Sequence, residues 1–358
     1  MAKKFKILYL GASYGSLLAA KAALGGHSGH LVCLPEEANL INSEGAIVRL
    51  PVRGVDRLVE LNTRDMPGKV TAGAPEKANP ADYDLVVLAM QEPQYRVPVV
   101  KDLLNKLGDS RKPCMSIMNM PPLTYLKRIP GVDASAIRGA YTDASAWDRL
   151  DPSLMTLCSP DPQAFRPPDQ KVNVLQVGLP TNFKAAAFES PAHTAILKQI
   201  EDDIQAVRHE VNGKTVELPV KLRVHDSVFV PLAKWAMLMA GNYRCVQADK
   251  MIPIKEAVHS DHAASEAVYN WVVELCVKIG ADRADLVPFE KYAEAANSLL
   301  RPSSAARALA AGATNIERVD KLVQALAASK GMRSDSLDRT VKLVDGWLAR
   351  NRAKAGTA

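Results

Sequence analysis

The feature that most constrains this chain is its start. An apolar run, Phe5-Lys6-Ile7-Leu8-Tyr9-Leu10, passes without a break into Gly11-Ala12-Ser13-Tyr14-Gly15-Ser16. That turn opens in its own right onto Leu17-Leu18-Ala19-Ala20-Lys21-Ala22-Ala23, a run of small helix formers. A strand feeding a tight glycine turn and then a helix offers unpaired backbone N–H groups and the positive end of the helix to an anion. Glycine belongs in such a turn because a side chain would block the close approach of a phosphate. After a Gly25-Gly26 stop, His30 to Leu34 supplies a second strand. The unit is therefore strand, helix, parallel strand, and it predicts a parallel sheet covered by helices.

Its spacing departs from the G-x-G-x-x-G dinucleotide fingerprint: Ser13 stands where the second glycine is expected, and Gly15 comes one residue early. The setting still predicts a Rossmann-type turn, with Gly11, Ala12, Ser13, Tyr14, Gly15 and Ser16 around the pyrophosphate. The opposing reading is a turn that has lost the nucleotide, with Ser13 and Tyr14 filling part of its space. At the end of the second strand, Leu31-Val32-Cys33-Leu34-Pro35-Glu36-Glu37 carries carboxylates and no arginine. Physically this leans to NAD over NADP, with Glu36 on the ribose; alternatively, the two glutamates simply begin the next helix, where their charge suits the dipole.

Further strands are expected at Asp84–Met90, Cys114–Met118 and Val172–Gly178, with a covering helix over Val97–Leu107 and an amphipathic helix over Ser190–Val207. Prolines 160, 162, 167 and 168 mark Ser159–Lys171 as a loop or insertion. From about Val224 apolar positions recur at helical spacing, predicting helices over Ser227–Ala248, Ala263–Ile279, Phe289–Leu300, Pro302–Ala311, Ile316–Lys330 and Ser336–Arg350. A frayed tail is expected from Ala353 to Ala358. The fold class is thus α/β, with a Rossmann domain over residues 1–220 and an all-helical domain over 221–358.

Composition narrows the function classes. At 358 residues the chain accommodates two ordinary domains, and 47% apolar with 23% charged residues is the balance of a folded globular protein. The net charge of +6 is dispersed without a basic block, which argues against nucleic acid and suits a small anionic ligand. Five scattered cysteines read as buried free thiols. With no long apolar span or signal-like start, a cytoplasmic location away from membranes is expected. His259-Ser260-Asp261-His262 reads as a capped helix start, and no metal is expected.

Four places resemble the ketopantoate reductase (2-dehydropantoate 2-reductase) family. They are the first turn with Leu17-Leu18-Ala19-Ala20; Ile41-Asn42-Ser43-Glu44-Gly45-Ala46-Ile47-Val48; the strand ending Ala89-Met90 and followed by Gln91, where the family usually has lysine; and Leu232-Ala233-Lys234-Trp235, with Asn242 further on. A fifth echo is Pro302-Ser303-Ser304 followed by Gly312-Ala313-Thr314-Asn315-Ile316-Glu317. The resemblance implies a Rossmann domain followed by a helical domain of the 6-phosphogluconate dehydrogenase C-terminal-like kind. It also implies hydride transfer from a nicotinamide, NADP in most of the family, to the carbonyl of a small 2-oxo acid in a cleft between the domains, and a homodimer as the expected assembly. By the same resemblance Lys234 is the proton donor and Asn242 orients substrate; Asn119, Ser303, Ser304 and Asn315 contact substrate; and Ala89, Met90 and Gln91 join the cofactor set.

An ammonium suits that chemistry, since it both stabilises the negative charge growing on the carbonyl oxygen and supplies the proton. The departures are Leu238 where a second asparagine is common, Asn315 at the family's glutamate with Glu317 two residues later, and Pro121-Pro122 where glycines follow Asn119's counterpart. Together with Gln91 they point to a substrate other than ketopantoate or to a difference in catalytic detail. Two other classes stay open: an opine-type dehydrogenase, for which His225-Asp226 would be the acid–base pair, and a non-catalytic nucleotide sensor on the same fold.

Overall fold

The computed structural model describes residues 3–356. Its strands are β1 (Lys6–Leu10), β2 (Ser28–Val32), β3 (Ile47–Leu50), β4 (Val59–Asn62), β5 (Val70–Gly73), β6 (Leu85–Leu88) and β7 (Cys114–Ile117). These are followed by β8 (Met155–Ser159), β9 (Gln163–Phe165), β10 (Val174–Leu179), β11 (Phe183–Ala186), β12 (His209–Val211), β13 (Lys214–Val216) and β14 (Leu222–His225). The chain divides into two compact units. One comprises the residues up to Met90, Gln94–Tyr125 and Ser145–Val228; the other comprises Gln91–Pro93, Leu126–Ala144 and the chain from Phe229 on.

The first unit is built on an eight-stranded sheet in the order β14-β11-β8-β7-β6-β1-β2-β5, parallel except where β11 meets β8. Strands β6 and β7 are buried at every residue, as expected of near-continuous apolar runs covered on both faces. Helix α1 (Tyr14–Leu24) joins β1 to β2 and is buried from Gly15 to Ala23, so its small residues let it lie close on the sheet. After β5 the chain returns past β1 to form β6, so the strand order reverses at β1, the place where doubly wound sheets bind ligands. Helices α2 (Pro35–Glu44) and α3 (Pro98–Ser110) each begin on a proline at their first turn.

Several features differ from expectation. The proline-rich stretch contains β9, part of a second, four-stranded sheet in the order β4-β3-β10-β9. The main sheet continues past residue 220 through β14, which pairs in parallel with β11. The single helix expected over Ser227–Ala248 is instead a 3-10 turn at Val230–Ala233, an α turn at Lys234–Met237 and a π turn at Leu238–Asn242.

The second unit is helical, with helices at Ile254–His259, His262–Lys278, Phe289–Ala296, Ser304–Ala310, Val319–Ser329 and Asp335–Gly356. The last of these runs through Gly356, so the expected fraying at Ala353 does not occur within the described residues. Four cysteines are buried and Cys33 is half-buried, all as free thiols.

Candidate functional site

The glycine turn sits at the carboxyl end of β1. Gly11 has φ +111°, and its N–H donates to the Val32 carbonyl at 2.9 Å. A Cβ there would lie 2.8 Å from the Ala89 carbonyl oxygen and 2.6 Å from Met90 Cγ, so only glycine fits. Ala89 N–H donates to the Leu10 carbonyl at 2.8 Å, which draws Ala89 and Met90 to the same sheet edge as the turn. Gly15, despite its early position, lets the helix lie close: its Cβ would meet Tyr9 Cβ and Leu31 Cδ2 at 3.3 Å.

Ser13 is the N-cap of α1 but makes no side-chain capping bond, and the first turn carries no acid. Ser16 Oγ instead donates to the Ala12 carbonyl at 2.5 Å. The Tyr14 ring packs edge-on against Phe183, and its hydroxyl donates to the Pro162 carbonyl at 3.0 Å. A left-handed glycine, an uncapped helix start and a buried small-residue helix are the parts a pyrophosphate needs, so these residues fit a dinucleotide.

At the end of β2, Cys33 N–H continues the ladder to the Gly73 carbonyl at 3.0 Å. Leu34 then stands 76% exposed, and Glu36 is exposed in the first turn of α2. Glu37 is buried and ion-paired with Arg166 from the segment after β9. Burial pushes the Glu37 carboxyl up while Arg166 draws it down. The fold thus brings an arginine from a distant segment beside the carboxylates at this strand end. No local signal could have found it, because 129 positions separate the partners.

In the helical unit, Lys234 is half-buried at the start of its α turn. An uninterrupted α-helix would leave Asn242 about 80° round from Lys234. The π turn spends an extra residue and returns Asn242 towards the lysine's face. Gly241 lets Tyr292 approach that turn, since a Cβ there would fall 1.9 Å from the Tyr292 hydroxyl, which donates to the Met237 carbonyl at 3.0 Å. Ser303 Oγ donates to the Asn242 carbonyl at 2.7 Å and accepts from Ala306 N–H at 3.2 Å, so it both fixes Asn242 and caps its helix. Ser304 is exposed in the first turn of that helix.

Asn315 Nδ2 donates to Thr314 Oγ1 at 3.2 Å, and Asn315 Oδ1 accepts from Arg352 at 3.3 Å. Glu317 lies deeper: its carbonyl accepts from the Tyr243 hydroxyl, and its Oε1 accepts from Glu92 N–H at 3.4 Å. Glu92, 2% exposed, accepts from Thr142 N–H at 2.9 Å and Thr142 Oγ1 at 2.8 Å, and burial holds its carboxyl above the usual range. Glu92 carries no functional signal in the sequence, since a glutamate before proline just after a strand reads as surface. Gln91 is exposed beside it, and Asn119 is half-buried just after β7 in the sheet unit.

Asp226, offered as half of an acid–base pair with His225, is 91% exposed and faces Lys198 at 3.6 Å. Among the described residues, no cluster of three His, Cys, Asp or Glu could hold a metal, and no helix is long and apolar enough to cross a membrane.

Solved structures match this architecture over nearly the whole chain. D-mandelate dehydrogenase, determined with NADH and anilino(oxo)acetate, aligns with a TM-score of 0.65 at 13% identity, over 97% of this chain and 99% of its own. The fold is that of the ketopantoate reductases. A ketopantoate reductase from Ralstonia eutropha JMP134 aligns at TM-score 0.62 and 14% identity over 97% and 99% of the two chains. A 2-dehydropantoate 2-reductase from Methylococcus capsulatus aligns at 0.63 and 12% over 97% of each. No family model and no curated protein sequence matches the chain.

Proposed function

We propose that the chain is an NAD(P)-dependent reductase of the ketopantoate reductase type, acting on the carbonyl of a small 2-oxo acid. The observation that carries this reading is the Gly11 turn, with its uncapped helix, at the strand-order reversal of a sheet whose fold is shared along its whole length with such reductases. Gly11 to Ser16, with Ala89 and Met90, would hold the dinucleotide, which supplies the hydride when bound. Lys234 holds the proton to be given to the developing alkoxide, and its charge stabilises that oxygen in a partly dry setting. Asn242 orients the substrate, and Ser303 acts as a positioning residue through the Asn242 carbonyl. Asn119 and Asn315 are assigned to substrate contact. The free thiols suit a reducing cytoplasm, and a homodimer is the proposed assembly.

The test is a panel of 2-oxo acids with NADH and NADPH, followed by nicotinamide absorbance. Lys234→Ala is expected to lower kcat about 10²- to 10⁴-fold and to leave dinucleotide affinity unchanged. Wild-type turnover in that variant would remove the mechanism, and binding of neither nucleotide would overturn the dinucleotide reading.

A further inference from the structure

The helical unit holds a cavity of about 330 Å³, at the low end of the range for small-molecule sites, among residues that the reductase reading leaves unused. It opens where helix His262–Lys278 meets the end of Val319–Ser329, the loop that follows, and the first turn of Asp335–Gly356. Its walls are apolar: Trp271 and Met332 are half-buried, and Ala327 and Leu337 are buried. An indole face over an aliphatic floor suits a branched apolar side chain.

Two opposite charges, Arg333 and Asp338, line the same cavity without pairing with each other. Among the described residues the Arg333 guanidinium has no hydrogen-bond or ion-pair partner. One oxygen of Asp338 accepts from Gln324 Nε2 at 2.6 Å, and the other has no partner among the described residues. The indole N–H of Trp271 likewise has no acceptor there. Both charged side chains are exposed, so a ligand can recruit them with little further desolvation. A fatty acid would leave Asp338 unmatched, and an amine would leave Arg333 unmatched. A zwitterion uses both. We propose that this cavity binds an apolar α-amino acid about the size of leucine, with its carboxylate on Arg333 and the Trp271 N–H and its ammonium on Asp338. None of these residues belongs to the glycine turn or to the Lys234–Asn242 segment, so the occupant acts as an effector and the inference does not depend on the reductase reading.

Calorimetric titration of the full chain with four probes tests the proposal: L-leucine, isocaproate (no ammonium), isoamylamine (no carboxylate) and glycine (no side chain). Leucine is expected to bind about tenfold or more tightly than each of the others. Arg333→Gln is expected to weaken leucine and isocaproate about tenfold and to leave isoamylamine unchanged. Asp338→Asn, which keeps an acceptor for Gln324, is expected to weaken leucine and isoamylamine and to leave isocaproate unchanged. Thermal unfolding checks that both variants, altered at exposed side chains, keep the fold. Leucine is also expected to shift tryptophan emission in the wild type and not in Trp271→Phe, and to bind Lys234→Ala as it binds the wild type. A wild type that does not bind leucine, or that binds isocaproate equally well, overturns the site. So does a charge variant that weakens every probe alike, an emission shift that survives in Trp271→Phe, or loss of leucine binding in Lys234→Ala.

Discussion

Lys21 is the most unusual single residue of the sheet unit. It lies within α1 at 1% exposure, and its Nζ donates to the Pro219 carbonyl at 2.9 Å. Burial, reinforced by Lys221, lowers its pKa to about 7, against about 10.4 in an unfolded chain. Between those values the unfolded state binds more protons, so this lysine makes stability rise with pH. Its penalty is complete below about pH 7 and fades towards pH 10. Lys21→Met has no such slope, whatever constant offset the lost hydrogen bond brings. The variant's melting temperature relative to wild type is therefore expected to fall steadily from pH 7 to 10. A difference that stays flat over that range would show that Lys21 is not charged at the cost inferred.

At the scale of elements, the helices Val319–Ser329 and Asp335–Gly356 are joined by an ion network. Arg318 Nε and Nη2 bind the two oxygens of Asp320 at 2.9 and 2.8 Å, and Nη1 reaches Asp345 at 2.5 Å. Asp320 is wholly buried, whereas Asp345 is 43% exposed and is shared with Lys321. Asp320→Ala strands a buried guanidinium and is expected to cost about 3 kcal/mol; Asp345→Ala breaks a half-solvated pair and should cost under about 1 kcal/mol. Urea unfolding of the two variants checks the order, and equal losses would refute it.

Such elements divide by how local their causes are. The β1–turn–α1 unit, β6 and β7 are legible in the sequence because each is a continuous apolar run bounded by its own turn signals. The four-stranded sheet is legible only in part: β10 falls on the strand expected at Val172–Gly178, whereas β3, β4 and β9 are short, and the sheet is joined by the pairing of β3 with β10, segments far apart along the chain. The π turn at Leu238–Asn242 leaves the apolar periodicity of its segment almost unchanged, so an ordinary helix is the natural expectation there. Of the candidate site, Gly11, Lys234 and Asn242 could be named from motifs. Arg166 and Glu92 could not, because their surroundings are assembled by tertiary contacts.

For the whole molecule, the consequential point is that the helical unit is not a terminal block. It includes Gln91–Pro93 and Leu126–Ala144, segments that the chain delivers while the sheet is still being built. The second of these is core material: Ile129 and Ile137 are buried to 1% or less, and helix Val319–Ser329 contacts the turn at Ala134–Ile137. Gly131 packs so closely that a Cβ would lie 2.4 Å from the Ile279 carbonyl. A fragment beginning at Phe229 would lose these partners, along with the Glu92 N–H that binds Glu317. Its helices would keep their intrinsic propensity and lose one wall of their core, the condition in which secondary structure outlasts fixed packing. Such a fragment is expected to retain far-ultraviolet helical ellipticity, to lack near-ultraviolet signal and to melt without a sharp transition. A sharp transition with near-ultraviolet signal in the isolated fragment would mean that Leu126–Ala144 decorates the unit instead of completing it.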